Sequence, residues 1–155
     1  MRVLVDTSAW VDFLNGFASP AADALDELLR GDDDACTCGI VVAEVFQGLR
    51  RDRGRDAIRR SFENMTFLEP SGFRFYFRAA ELYRGLREKG TTVRSTIDCI
   101  IAAIAEGGGC ALLARDRDMD AILDSGLLKT RRWQPPSSRR WGPTHPPRGA
   151  SVQTC

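Results

Sequence analysis

The sequence predicts an α/β fold, a three-layer α/β/α sandwich around a central, mostly parallel sheet. Three observations carry that expectation. Short apolar runs alternate with longer amphipathic stretches through residues 1–129, the order is repeatedly strand then helix, and the apolar runs are bounded by Gly, Asp or Ser clusters.

In order along the chain, the first strand is Val3-Leu4-Val5, closed by Asp6, with a helical pattern over residues 8–14. A second helical pattern, 21–30, leads through Gly31-Asp32-Asp33-Asp34 to a strand at Ala35-Cys36-Thr37. Helical patterns at 40–50 and 54–63 precede a strand from Met65 to Leu68. Patterns at 73–89 and 96–106 lead to a strand from Cys110 to Ala114, after which come a helix over 117–124 and a candidate strand at Leu127-Leu128. From Thr130 the composition changes: residues 130–155 hold five of the seven prolines, two of the three tryptophans and five arginines, with no acid. Proline at that density forbids a helix or a central strand. The expectation is a domain over residues 1–129 and a basic, extended or disordered tail over 130–155, either a solvated tail or an arm for nucleic acid or a partner.

Composition narrows the chemistry. With 155 residues, 43% hydrophobic and 28% charged, the chain is long enough for one self-supporting core. Its longest apolar run, Cys99 to Ala105, is far shorter than the roughly 20 residues of a membrane span. Asp6 interrupts the place where a signal peptide would be apolar, so a cytoplasmic protein without membrane association is expected. Five cysteines, an odd number, read as free thiols in a reducing compartment. A single histidine, His145, excludes His-rich zinc sites, histidine triads and histidine-pair RNA cleavage. Catalysis must then use carboxylates. The net charge of +1 conceals an acidic body, because residues 1–129 carry 17 bases against 21 acids.

Four acids stand where a core should not have them. Asp6 follows the first strand, at the carboxyl edge where an open parallel sheet presents groups to a ligand, and is equally a good N-cap for the helix after it. Glu44 sits inside Ile40-Val41-Val42-Ala43-Glu44-Val45-Phe46; it lies either on a narrow polar stripe with Gln47 and Arg51 or in a site where cations compensate it. Asp98 is either half of a Ser95-x-x-Asp98 capping box or a site residue at the start of a buried helix. Asp116 ends another strand, in Arg115-Asp116-Arg117-Asp118-Met119-Asp120. That run is no calcium loop, since its sixth position is Ala121 and its twelfth Leu127, where glycine and glutamate are needed.

In an α/β fold these acids converge on one sheet edge, where four carboxylates repel unless metal ions neutralise them. Oxygen donors without Cys or His select Mg2+ or Mn2+ over zinc. Cys36 and Cys38 have no second cysteine pair at metal spacing and read as core thiols.

These residues resemble a known family. Asp6-Thr7-Ser8-Ala9-Trp10-Val11-Asp12, Val42-Ala43-Glu44-Val45, Ile97-Asp98-Cys99-Ile100-Ile101-Ala102-Ala103 and Arg115-Asp116-Arg117-Asp118 are similar, in order and approximate spacing, to the four acidic motifs of PIN-domain ribonucleases. More narrowly they resemble the VapC toxins of bacterial VapBC toxin–antitoxin modules. The resemblance implies a PIN-like sandwich and makes Asp6, Glu44, Asp98 and Asp116 the catalytic, metal-binding quartet, with Asp6 and Asp98 the foremost Mg2+ ligands. Thr7 or Ser8 would orient a carboxylate or a metal-bound water, and Asp118 would support or supplement Asp116. It implies Mg2+-dependent hydrolysis of RNA phosphodiesters, leaving a 3′-hydroxyl and a 5′-phosphate, with Mn2+ as a substitute. It implies a homodimer silenced by a cognate VapB antitoxin.

Arg115 and Arg117, beside the quartet, and Arg50-Arg51 are candidate RNA phosphate contacts; the cluster at 50–60 reads equally as a solvated face paired with Asp52, Asp56 and Glu63. Phe73, Phe75, Tyr76, Phe77 and Tyr83 divide among core, dimer surface and antitoxin groove. Two features depart from the family: Ala114 stands where many relatives have a threonine or histidine, and the basic tail exceeds the usual span. A catalytically dead PIN-like scaffold binding RNA or protein is the alternative reading. A phosphoryl-transfer domain is disfavoured, because Ser8 occupies the place of the second aspartate of haloacid dehalogenases and only Lys89 and Lys129 are available for a receiver.

Overall fold

The computed structural model describes residues 1–49 and 54–136. Arg50 and Arg51, read above as phosphate contacts, lie outside the described residues, as does the tail from residue 137. Four strands, β1 (Arg2–Val5), β2 (Asp34–Thr37), β3 (Thr66–Phe67) and β4 (Ala111–Leu113), form one sheet in the order β3-β2-β1-β4, with every pair parallel. Val3, Leu4 and Val5 have no exposed surface. A central strand covered on both faces needs an unbroken apolar run rather than alternation, and that is what the sequence provides.

The helices are α1 (Thr7–Asn15), α2 (Pro20–Arg30), α3 (Gly39–Gly48), α4 (Arg55–Glu63), α5 (Arg74–Glu88), α6 (Thr96–Gly107) and α7 (Arg117–Asp124). Helix α1 stops at Gly16, whose φ of 73° is a left-handed cap that a side chain would strain. Helix α2 starts at Ser19, whose Oγ accepts the Ala22 N–H at 3.1 Å, with Pro20 in the first position, where its missing N–H costs nothing. Helix α6 buries Cys99 and Ile101 through Ala105, so it runs through the core rather than over it. It approaches α5 closely enough that a Cβ at Gly107 would stand 2.3 Å from the Phe75 ring.

Strand order decides where a ligand can bind. The chain steps outward from β1 to β2 to β3, then returns to β4 on the far side of β1. Helix α1 packs on α2 and α3, Phe62 of α4 packs on Trp10 and Phe46, and α5 packs on α6, so the right-handed crossover rule assigns α1 to α4 to one face and α5 with α6 to the other. The resulting three-layer sandwich reverses direction between β1 and β4. In open α/β sheets such a reversal is where ligands bind, beyond the carboxyl ends of the two strands.

Two expectations need correcting. Leu127-Leu128 is not a strand: the Leu127 carbonyl accepts Arg78 Nη2 at 2.6 Å, and the Leu127 side chain packs over Gly85. The outer edge of β4 pairs instead with the segment beyond it, through Leu112 N–H to Arg131 O at 3.0 Å and Trp133 N–H to Leu112 O at 2.7 Å. Trp133 is buried, and its indole N–H donates to Asp33 Oδ2 at 2.9 Å. The packed body therefore runs past residue 129 to Trp133. An open strand edge and a large indole each gain from this contact, which the arginines and prolines around Trp133 conceal in the sequence.

Cys36, Cys38, Cys99 and Cys110 are free and buried, as core thiols should be; burial pushes Cys36 up to about 12. Among the described residues no helix is long and apolar enough to cross a membrane.

Candidate active site

Asp6, Glu44, Asp98 and Asp116 come from four elements and lie close enough that Asp116, Asp6 and Glu44 each push up the pKa of Asp98. Asp6 follows β1 and caps α1: its Oδ2 accepts both the Ser8 N–H at 3.0 Å and the Ser8 hydroxyl at 2.6 Å. The two readings of Asp6 are thus compatible, because the cap is what fixes the carboxylate at the sheet edge. Burial pushes its pKa up, the Ser8 hydrogen bonds oppose that, and Asp116 adds to the rise.

Glu44 projects from the middle of α3, where the Thr7 hydroxyl donates to its Oε2 at 2.6 Å. That bond ties half-buried Glu44 to the residue after Asp6, whereas Gln47 is exposed and Arg51, the third member of the polar stripe, lies outside the described residues. Asp116 caps α7, its Oδ1 accepting the Met119 N–H at 2.7 Å. A backbone donor thus holds Asp116 although Ala114 can offer it no hydroxyl or imidazole.

Asp98 lies in the first turn of α6, and the capping box expected there is not made. Ser95 does cap, its Oγ accepting the Ile97 N–H at 3.0 Å. Among the described residues no donor or cation reaches the Asp98 carboxylate in return. Burial, then Asp116, Asp6, Asp118 and Glu44 in that order, push its pKa up to about 7. A half-buried acid surrounded by other acids has no structural reward for being there. Of the four it is the one the fold leaves uncompensated.

The donor chemistry suits a hard divalent cation. All four groups are carboxylates, and the nearby thiol, Cys38, is buried with its pKa pushed up by desolvation. Among the described residues no three acid, Cys or His side chains already close round one point. Ser8, Thr7 and the Met119 N–H each hold one carboxylate oxygen, of Asp6, Glu44 and Asp116 respectively, while Asp98, which feels the charge of all three, has no such anchor.

Two of the supporting residues have partners of their own. Asp118 accepts the Arg94 N–H at 3.0 Å and Arg94 Nε at 3.1 Å, contacts that pull its pKa down and tie the segment before α6 to α7, and it stands near enough to the other acids to add to the rise at Asp98. Arg115 is not a free phosphate contact, because its Nη1 pairs with Asp12 Oδ2 while its backbone N–H donates to Ser8 Oγ at 2.9 Å. Arg117 stays exposed at the start of α7. In the 50–60 cluster, Arg59 pairs with Glu63 at 2.9 Å, which favours the solvated-face reading for that residue. Asp12 and Arg94 are site neighbours that sequence reasoning missed. For Asp12 a signal existed, since it lies four residues after Ser8 and so on the same helical face.

Comparison with known proteins bears on the family and the fold. The family model described as PIN domain matches residues 3–123. The chain is similar to ribonuclease VapC11 of Mycobacterium tuberculosis, 33% identical over 121 residues, covering 77% of this chain and 90% of that protein. The structure of VapBC2 from Rickettsia felis bound to a DNA fragment from their promoter shares the fold, with a TM-score of 0.64, 18% identity and coverage of 86% of this chain and 100% of that one. VapBC-1 from nontypeable Haemophilus influenzae shares it with a TM-score of 0.61 and 19% identity, over 86% of this chain and 97% of that one.

Proposed function

The chain belongs to the PIN-domain family and, within it, to the VapC ribonucleases, and from that premise we propose that it is a Mg2+-dependent endoribonuclease acting through Asp6, Glu44, Asp98 and Asp116. The observation that carries this reading is Asp98, an uncompensated acid with its pKa near 7 at the strand-order reversal. Cation binding is what would offset that repulsion. Asp6, Asp98 and Asp116 would hold the ion, and Glu44, fixed by Thr7, would complete the set or hold a water. When bound, Mg2+ or Mn2+ supplies Lewis acidity, lowering the pKa of water and offsetting charge at the scissile phosphate. Ser8 keeps Asp6 aimed, and Arg117 offers a charge to a flanking phosphate. No histidine is needed, and the single one, His145, lies outside the described residues.

The reading extends to partners. Solved relatives with this fold carry VapBC names, which supports a VapB-type antitoxin as the cognate inhibitor in a cytoplasmic toxin–antitoxin module. Phe73, the residue before α5, and Tyr76 and Phe77 on it are 77%, 51% and 67% exposed, an aromatic surface of the kind a homodimer or antitoxin covers.

The test is cleavage of a labelled structured RNA by antitoxin-free protein, with Mg2+ or with EDTA, beside Asp98→Asn. Metal-dependent cleavage that the variant lacks supports the nuclease. A folded wild type that binds RNA as its variant does, yet cuts none of a broad panel, moves the dead-scaffold reading ahead.

A further inference from the structure

We propose that Asp12 is a positioning residue for the carboxylate site, acting through Arg115. Residue 115 is held to α1 at two points. Its backbone N–H donates to Ser8 Oγ at 2.9 Å, and its guanidinium pairs with Asp12. Ser8 and Asp12 are one turn apart on the same face of α1, so they form two jaws of one clamp. What the clamp holds is the residue immediately before Asp116, and the jaw at Ser8 also carries Asp6 through a 2.6 Å hydrogen bond. The junctions β1–α1 and β4–α7, each presenting one acid, are thereby locked to each other across 103 residues of sequence.

Burial argues that the pair has a purpose. Asp12 is only 8% exposed, and a carboxylate in that position is expensive without a cation. Arg115, by contrast, has a side chain 54% exposed. An arginine intended for RNA would gain by staying unpaired, since a carboxylate at its head cancels its pull on phosphate. The pairing instead spends the charge of Arg115 on fixing its own backbone. The clamp sets the spacing of Asp6 and Asp116, and so the affinity of the site for its cation.

This inference rests on the carboxylate-metal reading above, and the experiment separates the two. Mn2+ binding to antitoxin-free wild type, Asp12→Asn, Arg115→Met, Arg115→Lys and the double variant Asp12→Asn/Arg115→Met is measured by electron paramagnetic resonance. RNA cleavage is measured in parallel, and circular dichroism confirms folding. Asp12→Asn is expected to weaken Mn2+ and lower kcat about tenfold each, the size typical of residues that orient metal ligands. KM for RNA should stay nearly constant, Arg115→Lys should recover part of the loss, and the double variant should be no worse than either single one.

Unchanged Mn2+ affinity in folded Asp12→Asn overturns the clamp even if wild type cleaves RNA. A KM that falls with kcat intact also overturns it, since Asp12 would then merely restrain a phosphate-binding Arg115. Weakened Mn2+ binding in a chain that cuts no RNA keeps the clamp and removes the nuclease. If wild type binds no Mn2+, both readings fall. Should Asp12→Asn fail to fold, Arg115→Met and Arg115→Lys, altering the exposed partner, carry the same comparison.

Discussion

The Thr7 hydroxyl donates to Glu44 Oε2 at 2.6 Å, joining the first residue of α1 to the middle of α3 across 37 residues of sequence. Without that bond nothing on α3 itself would turn a glutamate flanked by alanine and valine toward the sheet edge. Thr7→Val keeps the shape of the side chain and removes the donor. A hydrogen bond to a charged group is worth about 1.5–3 kcal/mol, and this partly buried one should cost near the lower end. The expected outcome is a modest fall in melting temperature together with a larger fall in kcat, and Thr7→Ser should restore both. A kcat equal to wild type in Thr7→Val would show that the aim of Glu44 is unimportant to cleavage.

Asp98 gives the chain a distinctive pH dependence when metal is withheld. Its pKa is pushed up to about 7 in the folded protein, whereas an unfolded aspartate titrates near 3.9. The folded state therefore binds the proton more tightly. Its stabilising contribution is complete below about pH 4, falls as pH rises, and is lost above about pH 7. Melting curves in EDTA should decline over that window for wild type, while Asp98→Asn should lack this part of the decline and melt higher than wild type at pH 8. Identical pH profiles for the two proteins would show that Asp98 is compensated in the folded chain.

Metal should reverse that penalty. A ligand that binds only the folded state adds about 2.7 kcal/mol at a hundred times its dissociation constant, so Mg2+ at pH 8 should raise the wild-type melting temperature by several degrees. Asp98→Asn should respond much less. An equal response in both would place the ion elsewhere on the surface.

The sheet and the site were legible for different reasons. Val3-Leu4-Val5 and the buried run of α6 read directly, because a doubly covered core demands continuous apolar sequence. The four acids read as exceptions to that demand, which is why Glu44 and Asp98 drew notice inside apolar helices. What could not be read were contacts whose partners lie far away along the chain. Arg115 reads as a phosphate contact because it stands beside the acidic quartet, and only the fold brings buried Asp12 against it. The resemblance implies that Asp118 supports or supplements Asp116, and only the fold shows that its carboxylate is held by Arg94. Leu127-Leu128 looked like a strand because apolar pairs often are, although its Leu127 carbonyl is taken by Arg78.

Trp133 offers the last test, of where the folded unit ends. Composition puts a boundary at residue 129, but Arg131 and Trp133 pair with Leu112, and the buried indole donates to Asp33 ahead of β2. Removing a buried tryptophan side chain typically costs about 3–5 kcal/mol, whereas Trp133→Phe keeps most of the packing and loses mainly the 2.9 Å hydrogen bond, about 1 kcal/mol. Trp133→Ala should therefore shift the urea midpoint strongly and Trp133→Phe slightly, with kcat per folded molecule unchanged in both because the indole touches none of the four acids. A chain stopped at residue 129 should behave at least as badly as Trp133→Ala, since it also frees the outer edge of β4 to pair with other chains. If that shortened chain is as stable and as monodisperse as the full one, the contact is ornamental and the boundary at 129 stands.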